Sequence, residues 1–86
     1  MKHIKVKRTT NVTGLSKSME KLLKADKELE VVSVGAGALN QKIKALIAVS
    51  GLFFTKGKNV KYVHSYKTIE EEITAISTKV SLEDIS

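Results

Sequence analysis

The sequence predicts an α/β chain, specifically a two-layer α+β sandwich. Its elements should run β-α-β-α-β-β, as a four-stranded mixed sheet with two helices on one face. Three observations predict it. Apolar residues alternate with polar ones near the start of the chain. Two stretches at helical spacing follow, each entered from a segment with strand character. The last third is rich in Val, Ile, Thr and Tyr and shows no further helical period. Strand–helix–strand units close with right-handed crossovers, which place both helices on the same side of the sheet. The opposite face is then wet or an interface.

The first strand rests on Ile4 and Val6, which alternate with His3, Lys5 and Lys7. Thr9-Thr10-Asn11 breaks that pattern. A helix is expected from about Thr13, whose hydroxyl can cap the first turn, to about Lys27. Leu15, Met19, Leu22 and Leu23 share one of its faces and Lys17, Lys21 and Lys24 another, with Glu20 spaced to pair with Lys24. Leu29 to Val34 is almost continuously apolar, as suits an interior strand. Gly35-Ala36-Gly37 reads as a tight strand-to-helix turn that permits positive φ and close backbone approach.

A second helix is expected from about Ala38 to Phe53. Its core stripe would be Leu39, Ile43, Leu46, Ile47 and Phe53, with Asn40, Gln41 and Lys44 opposite. Lys42 falls on the apolar side. Gly51 and Lys56-Gly57-Lys58-Asn59 close this region as a loop. Val60 to Tyr66 and Ile73 to Val80 are the last two strands, joined by the short acidic connection Lys67 to Glu72. Residues 1–80 form one domain, and 81–86 a polar, frayed tail.

Composition narrows the function. The 86 residues include no Cys, which excludes disulfides, thiolate metal sites and cysteine nucleophiles. His3 and His64 have no acid or Ser at catalytic spacing, so no enzyme, metal site or cofactor is expected. Gly35 to Asn40 fails as a dinucleotide fingerprint because its sixth position is Asn40 and no acidic residue follows before Glu70. Glu70-Glu71-Glu72 lacks the calcium-loop pattern and reads as a solvated turn.

The formal charge of +6 is uneven. Residues 1–27 carry eight Lys/Arg against two carboxylates, whereas residues 69–86 carry Lys79 against five. A basic body attracts polyanions. With no apolar leader and no stretch long enough to span a bilayer, the expectation is a cytoplasmic protein without a membrane partner.

Val32-Ser-Val-Gly-Ala-Gly-Ala-Leu-Asn-Gln-Lys-Ile-Lys-Ala-Leu-Ile-Ala resembles the signature segment of the stage V sporulation protein S family, a resemblance that covers most of the chain. It implies an Alba-like fold with the fourth strand antiparallel to the others. It also implies a bacterial regulatory role in sporulation, and Alba relatives dimerise and bind DNA or RNA. The long basic arm of Alba-type binders has no counterpart in the acidic Lys67–Glu72 connection. The Alba contact region after the first strand matches Lys7, Arg8 and Lys17 in position and charge.

The resulting expectation is a homodimer or higher oligomer that binds DNA or RNA backbone with low sequence specificity. Lys5, Lys7, Arg8, Lys17, Lys42 and Lys44 would supply phosphate contacts, with Asn40 nearby and N–H groups from Gly37 and Ala38 at the start of the second helix. Six neutralised phosphates would give a log–log salt slope of roughly −5 on duplex DNA. The alternative is a protein–protein interaction module without nucleic-acid binding, in which Lys42 reaches across an oligomer interface to an acidic residue.

Overall fold

The computed structural model describes residues 1–70 and 73–84. The order is β1 (Lys2–Val6), α1 (Val12–Asp26), β2 (Glu28–Ser33), α2 (Ala36–Phe54), β3 (Lys58–Glu70) and β4 (Ile73–Asp84). The sheet order is β1-β2-β4-β3. β1 and β2 pair in parallel, whereas β4 lies between β2 and β3 and runs antiparallel to both. That direction is the one the Alba resemblance implies.

Register decides which residues meet. Ile4, Val6, Leu29, Val31 and Val80 lie on the helix side of the sheet. There they form one core with Leu15, Met19 and Leu23 of α1 and Ala45, Leu46, Val49 and Phe53 of α2. His3, Glu30 and Lys79 alternate onto the open side.

Several boundaries differ from the sequence expectation. Asn11, not Thr13, caps α1, its Oδ1 accepting from Gly14 N–H at 2.8 Å. The short Asn side chain reaches the free donors of the first turn from one position outside the helix. Lys27 ends α1 in the left-handed region at φ 61°. α2 starts at Ala36, two residues early, because Gly35 alone takes the positive φ (86°) needed to leave β2. Gly51 lies inside α2 rather than closing it.

The expected polar tail is also corrected for residues 81–84. β4 runs through Ser81 to Asp84, paired with Lys61 to Lys58 of β3, and Leu82 packs on the core. Four residues expected in a tail are held by a neighbouring strand. Residues 85 and 86 of that expected tail lie outside the described residues.

The last two strands likewise exceed their expected lengths. β3 has 13 residues and β4 has 12, so the expected Lys67–Glu72 connection is mostly strand. The β2–β4 ladder stops at Ser33–Ile76 while the β3–β4 ladder continues to Glu70–Ile73, making the end a two-stranded ribbon. Of the three consecutive glutamates, only Glu70 is described, and it is exposed.

Candidate nucleic-acid interface

Because β1, β2 and β3 run in the same direction, the β1–α1 loop, the Gly35 turn and the far end of the ribbon gather at one end of the molecule. The β1–α1 loop folds on itself there. Lys7 N–H donates to Thr10 Oγ1 at 2.8 Å, and Thr10 N–H donates to the Lys7 carbonyl at 3.0 Å. Gln41 of α2 then ties the loop to the helix, donating from Nε2 to the Thr10 carbonyl at 2.8 Å.

Arg8 lies against the first turn of α2. A Cβ placed on Gly37 would meet Arg8 Cβ at 2.8 Å, so only glycine admits this approach. Gly35 supplies no side-chain cap to α2. The N–H groups of Ala36, Gly37 and Ala38 therefore sit at the positive end of the helix dipole, in the turn against which Arg8 packs. Ala38 takes part only through its backbone, since its side chain is buried.

The structure separates the other expected contacts. Lys7 and Arg8 are exposed at this end. Lys5 is exposed on the open sheet face. Lys17, Asn40 and Lys44 are exposed on the helix layer.

Lys42 must be withdrawn as a phosphate contact. It is 0 % exposed, and its Nζ donates to the Ile76 carbonyl at 2.9 Å. This also removes its expected reach across an interface, because the ammonium is turned into its own sheet. Burial pushes its pKa down to about 8. The physical reason lies in the rotation of α2. Ala38, Lys42, Ala45, Leu46, Val49 and Phe53 point at the sheet, while the expected core residues Ile43 and Ile47 are 37 % and 66 % exposed.

Two groupings escaped sequence reasoning. On the open face, Glu30 accepts from Ser77 Oγ at 2.6 Å and Lys67 Nζ at 3.1 Å, and pairs with His3 Nδ1 at 2.6 Å. The Ser77 hydrogen bond, then Lys67 and His3, hold its pKa at about 2 against the opposing effect of partial burial. The β1–β2 register, His3 opposite Glu30, is the signal that would have found it.

The second grouping is apolar. Ile43, Ile47 and Phe54 of α2 are exposed, as are Tyr62 and Tyr66 of β3, and Ser50 and Tyr62 hydrogen-bond between the two elements. Tyr66 is 83 % exposed. His64 Nδ1 pairs with buried Thr78 Oγ1 at 2.8 Å. No cluster of three potential metal ligands occurs among the described residues. Nor, among them, is any helix long and apolar enough to cross a membrane.

The family model described as Stage V sporulation protein S matches residues 2–83 of the 86. The chain belongs to the stage V sporulation protein S family. The match runs from the first residue of β1 to within one residue of the end of β4, so the whole sheet is family structure. The stage V sporulation protein S family is one of sporulation-related regulators and is not known for enzymes. No curated protein matches this chain.

Proposed function

We propose that this member of the stage V sporulation protein S family regulates by binding nucleic-acid backbone, without strong sequence preference, through the end that carries Lys7, Arg8 and the start of α2. The observation that carries the reading is the packing of Arg8 on Gly37. It sets the Arg8 side chain against the first turn of a helix whose N–H groups lack a side-chain cap, two devices that suit a phosphate oxygen. Lys5, Lys17 and Lys44 flank this end on the two layers and add long-range attraction. Without Lys42, about five phosphate contacts remain, which sets a log–log salt slope of roughly −4 to −5 on duplex DNA.

Fluorescence anisotropy with labelled duplex DNA and single-stranded RNA at two salt concentrations tests it. Binding should weaken steeply with salt, and Arg8→Glu should weaken it at least tenfold with the fold intact by circular dichroism. Salt-insensitive binding, or full affinity in Arg8→Glu, would remove the reading. The two probes decide between DNA and RNA.

A second reading, self-association, is favoured by the exposed apolar strip of Ile43, Ile47, Phe54 and Tyr66. Adjacent exposed apolar residues of this size are a liability on a lone chain and suit burial against a second copy. Sedimentation should show a dimer or larger species that Ile47→Lys converts to monomer. A monomeric wild type at high concentration would end this reading while leaving the first intact.

A further inference from the structure

The opposite end of the molecule holds a cavity of about 310 Å³ that neither reading uses. It opens where α1 and α2 finish, β3 begins and β4 ends. Leu82 supplies its accessible apolar surface, with Leu23 and Phe53 buried beneath. Lys24, Lys27, Lys56 and Lys58 stand around it. Its backbone is fixed: Leu82 N–H donates to the Lys27 carbonyl at 3.1 Å, and Lys56 N–H to that of Phe53 at 2.9 Å.

Helix C-termini attract lysines on their own, because their terminal carbonyls carry partial negative charge. The distinguishing feature is the half-open cavity between the lysines, walled by Leu82 and their methylene stems. Charge is in excess there. Glu20 pairs with Lys24 at 2.9 Å and with Lys56 at 3.5 Å, and Asp84 pairs with Lys58. Four ammonium groups thus face two carboxylates, and Lys27 makes no ion pair within 4.0 Å among the described residues. Lys56 Nζ also stands 5.9 Å from the centroid of the buried Phe53 ring, a cation–π contact that holds the ammonium at this wall.

We infer that this cavity binds a small organic carboxylate with a flat apolar body, the carboxylate held by Lys27 and Lys56 and the ring against Leu82 and the methylene stems of the lysines. The volume sets the size, since ligand pockets start at roughly 300 Å³ and this one holds one or two fused rings rather than a dinucleotide. Such a ligand would enter from solvent without displacing the sheet.

The test is a two-dimensional ¹H–¹⁵N NMR titration of the full chain with naphthalene-2-carboxylate. Its neutral amide, naphthalene-2-carboxamide, and acetate serve as comparators. Saturable shifts are expected at the amides of Leu23–Lys27, Lys56–Lys58 and Leu82–Asp84, with each comparator about tenfold weaker or more. Lys56→Gln should weaken binding several-fold, and so should Lys27→Asn, which keeps a residue tolerant of positive φ. Equal binding of the neutral amide, shifts centred on Ile43 and Ile47, or no saturation by about 10 mM, well beyond ordinary ligand affinities, would overturn the proposal. Nucleic acid should shift Lys7, Arg8 and Gly37 instead, so the two sites fail or stand separately.

Discussion

The two helices of this protein lie side by side on the same sheet yet answer to different constraints. α1 buries Leu15, Met19 and Leu23 and turns its lysines to water. One face is dry and the other charged, which is what a helix needs to hold a small core together. α2 is apolar nearly all round, buries a lysine, and leaves Ile47 and Phe54 two-thirds exposed. Its inner face carries one lysine among apolar residues, and its outer side exposes Ile43, Ile47 and Phe54 where α1's is charged. The difference teaches that α1 is shaped by the core alone, whereas α2 also admits Arg8 at its start and leaves apolar residues exposed along its side.

Four substitutions break or sharpen this contrast. The largest effect belongs to Leu23→Ala in α1, where a fully buried side chain is lost. Urea unfolding should show a loss of about 2–5 kcal/mol. A loss below about 1 kcal/mol would mean that α1 is not the main support of the core.

Next comes Lys42. Its folded pKa of about 8 lies below the ordinary 10.5, so between those values the unfolded chain holds more protons than the folded one. Stability contributed through this group therefore rises with pH across that window, by about 3 kcal/mol at most. Lys42→Met, which keeps the volume and drops the charge, should lack that rise. Parallel pH profiles for the two proteins would contradict the buried charge.

Third is Gly37→Ala. Alanine favours a helix, but its Cβ would press on Arg8 at 2.8 Å. Displacing the loop should cost about 1–2 kcal/mol by thermal unfolding and weaken nucleic-acid binding together with it. Unchanged binding would separate the Arg8 position from phosphate contact. The smallest effect on the lone chain is expected from Ile47→Ser, within about 0.5 kcal/mol in dilute solution. At high concentration the same variant should lose assembled species in sedimentation, and a large loss of monomer stability instead would place Ile47 in the core.

Much of the fold was legible because its signals are local. The alternation of Ile4 and Val6, the α1 stripe and the Gly35 turn each depend on a few neighbouring residues. The orientation of α2 was not legible for the opposite reason. When almost every side chain is apolar, the 3.6-residue period loses contrast, and only packing against α1 and the sheet decides that Lys42 faces inward and Ile47 outward. The span of β4 was hidden too, since Ser81 to Asp84 looks like a tail until β3 pairs with it. At the candidate interface, Lys7 and Arg8 were readable as charges after a strand. The contact of Arg8 with Gly37 joins residues 29 positions apart and follows only from the fold. The grouping of His3, Glu30, Lys67 and Ser77 likewise depends on three strand pairings that composition does not contain.

The central position of β4 has a consequence for how the protein is made. β4 fills the gap between β2 and β3, yet it is translated after both. A nascent chain that has emerged only as far as β3 has two strands, β2 and β3, each with an open hydrogen-bonding edge, and no short route to closing them on each other. One of those edges bears Leu29, Val31 and Val32, a segment that adheres readily to other unfinished chains. Folding should therefore wait for the ribosome to release β4 and then complete in a single step.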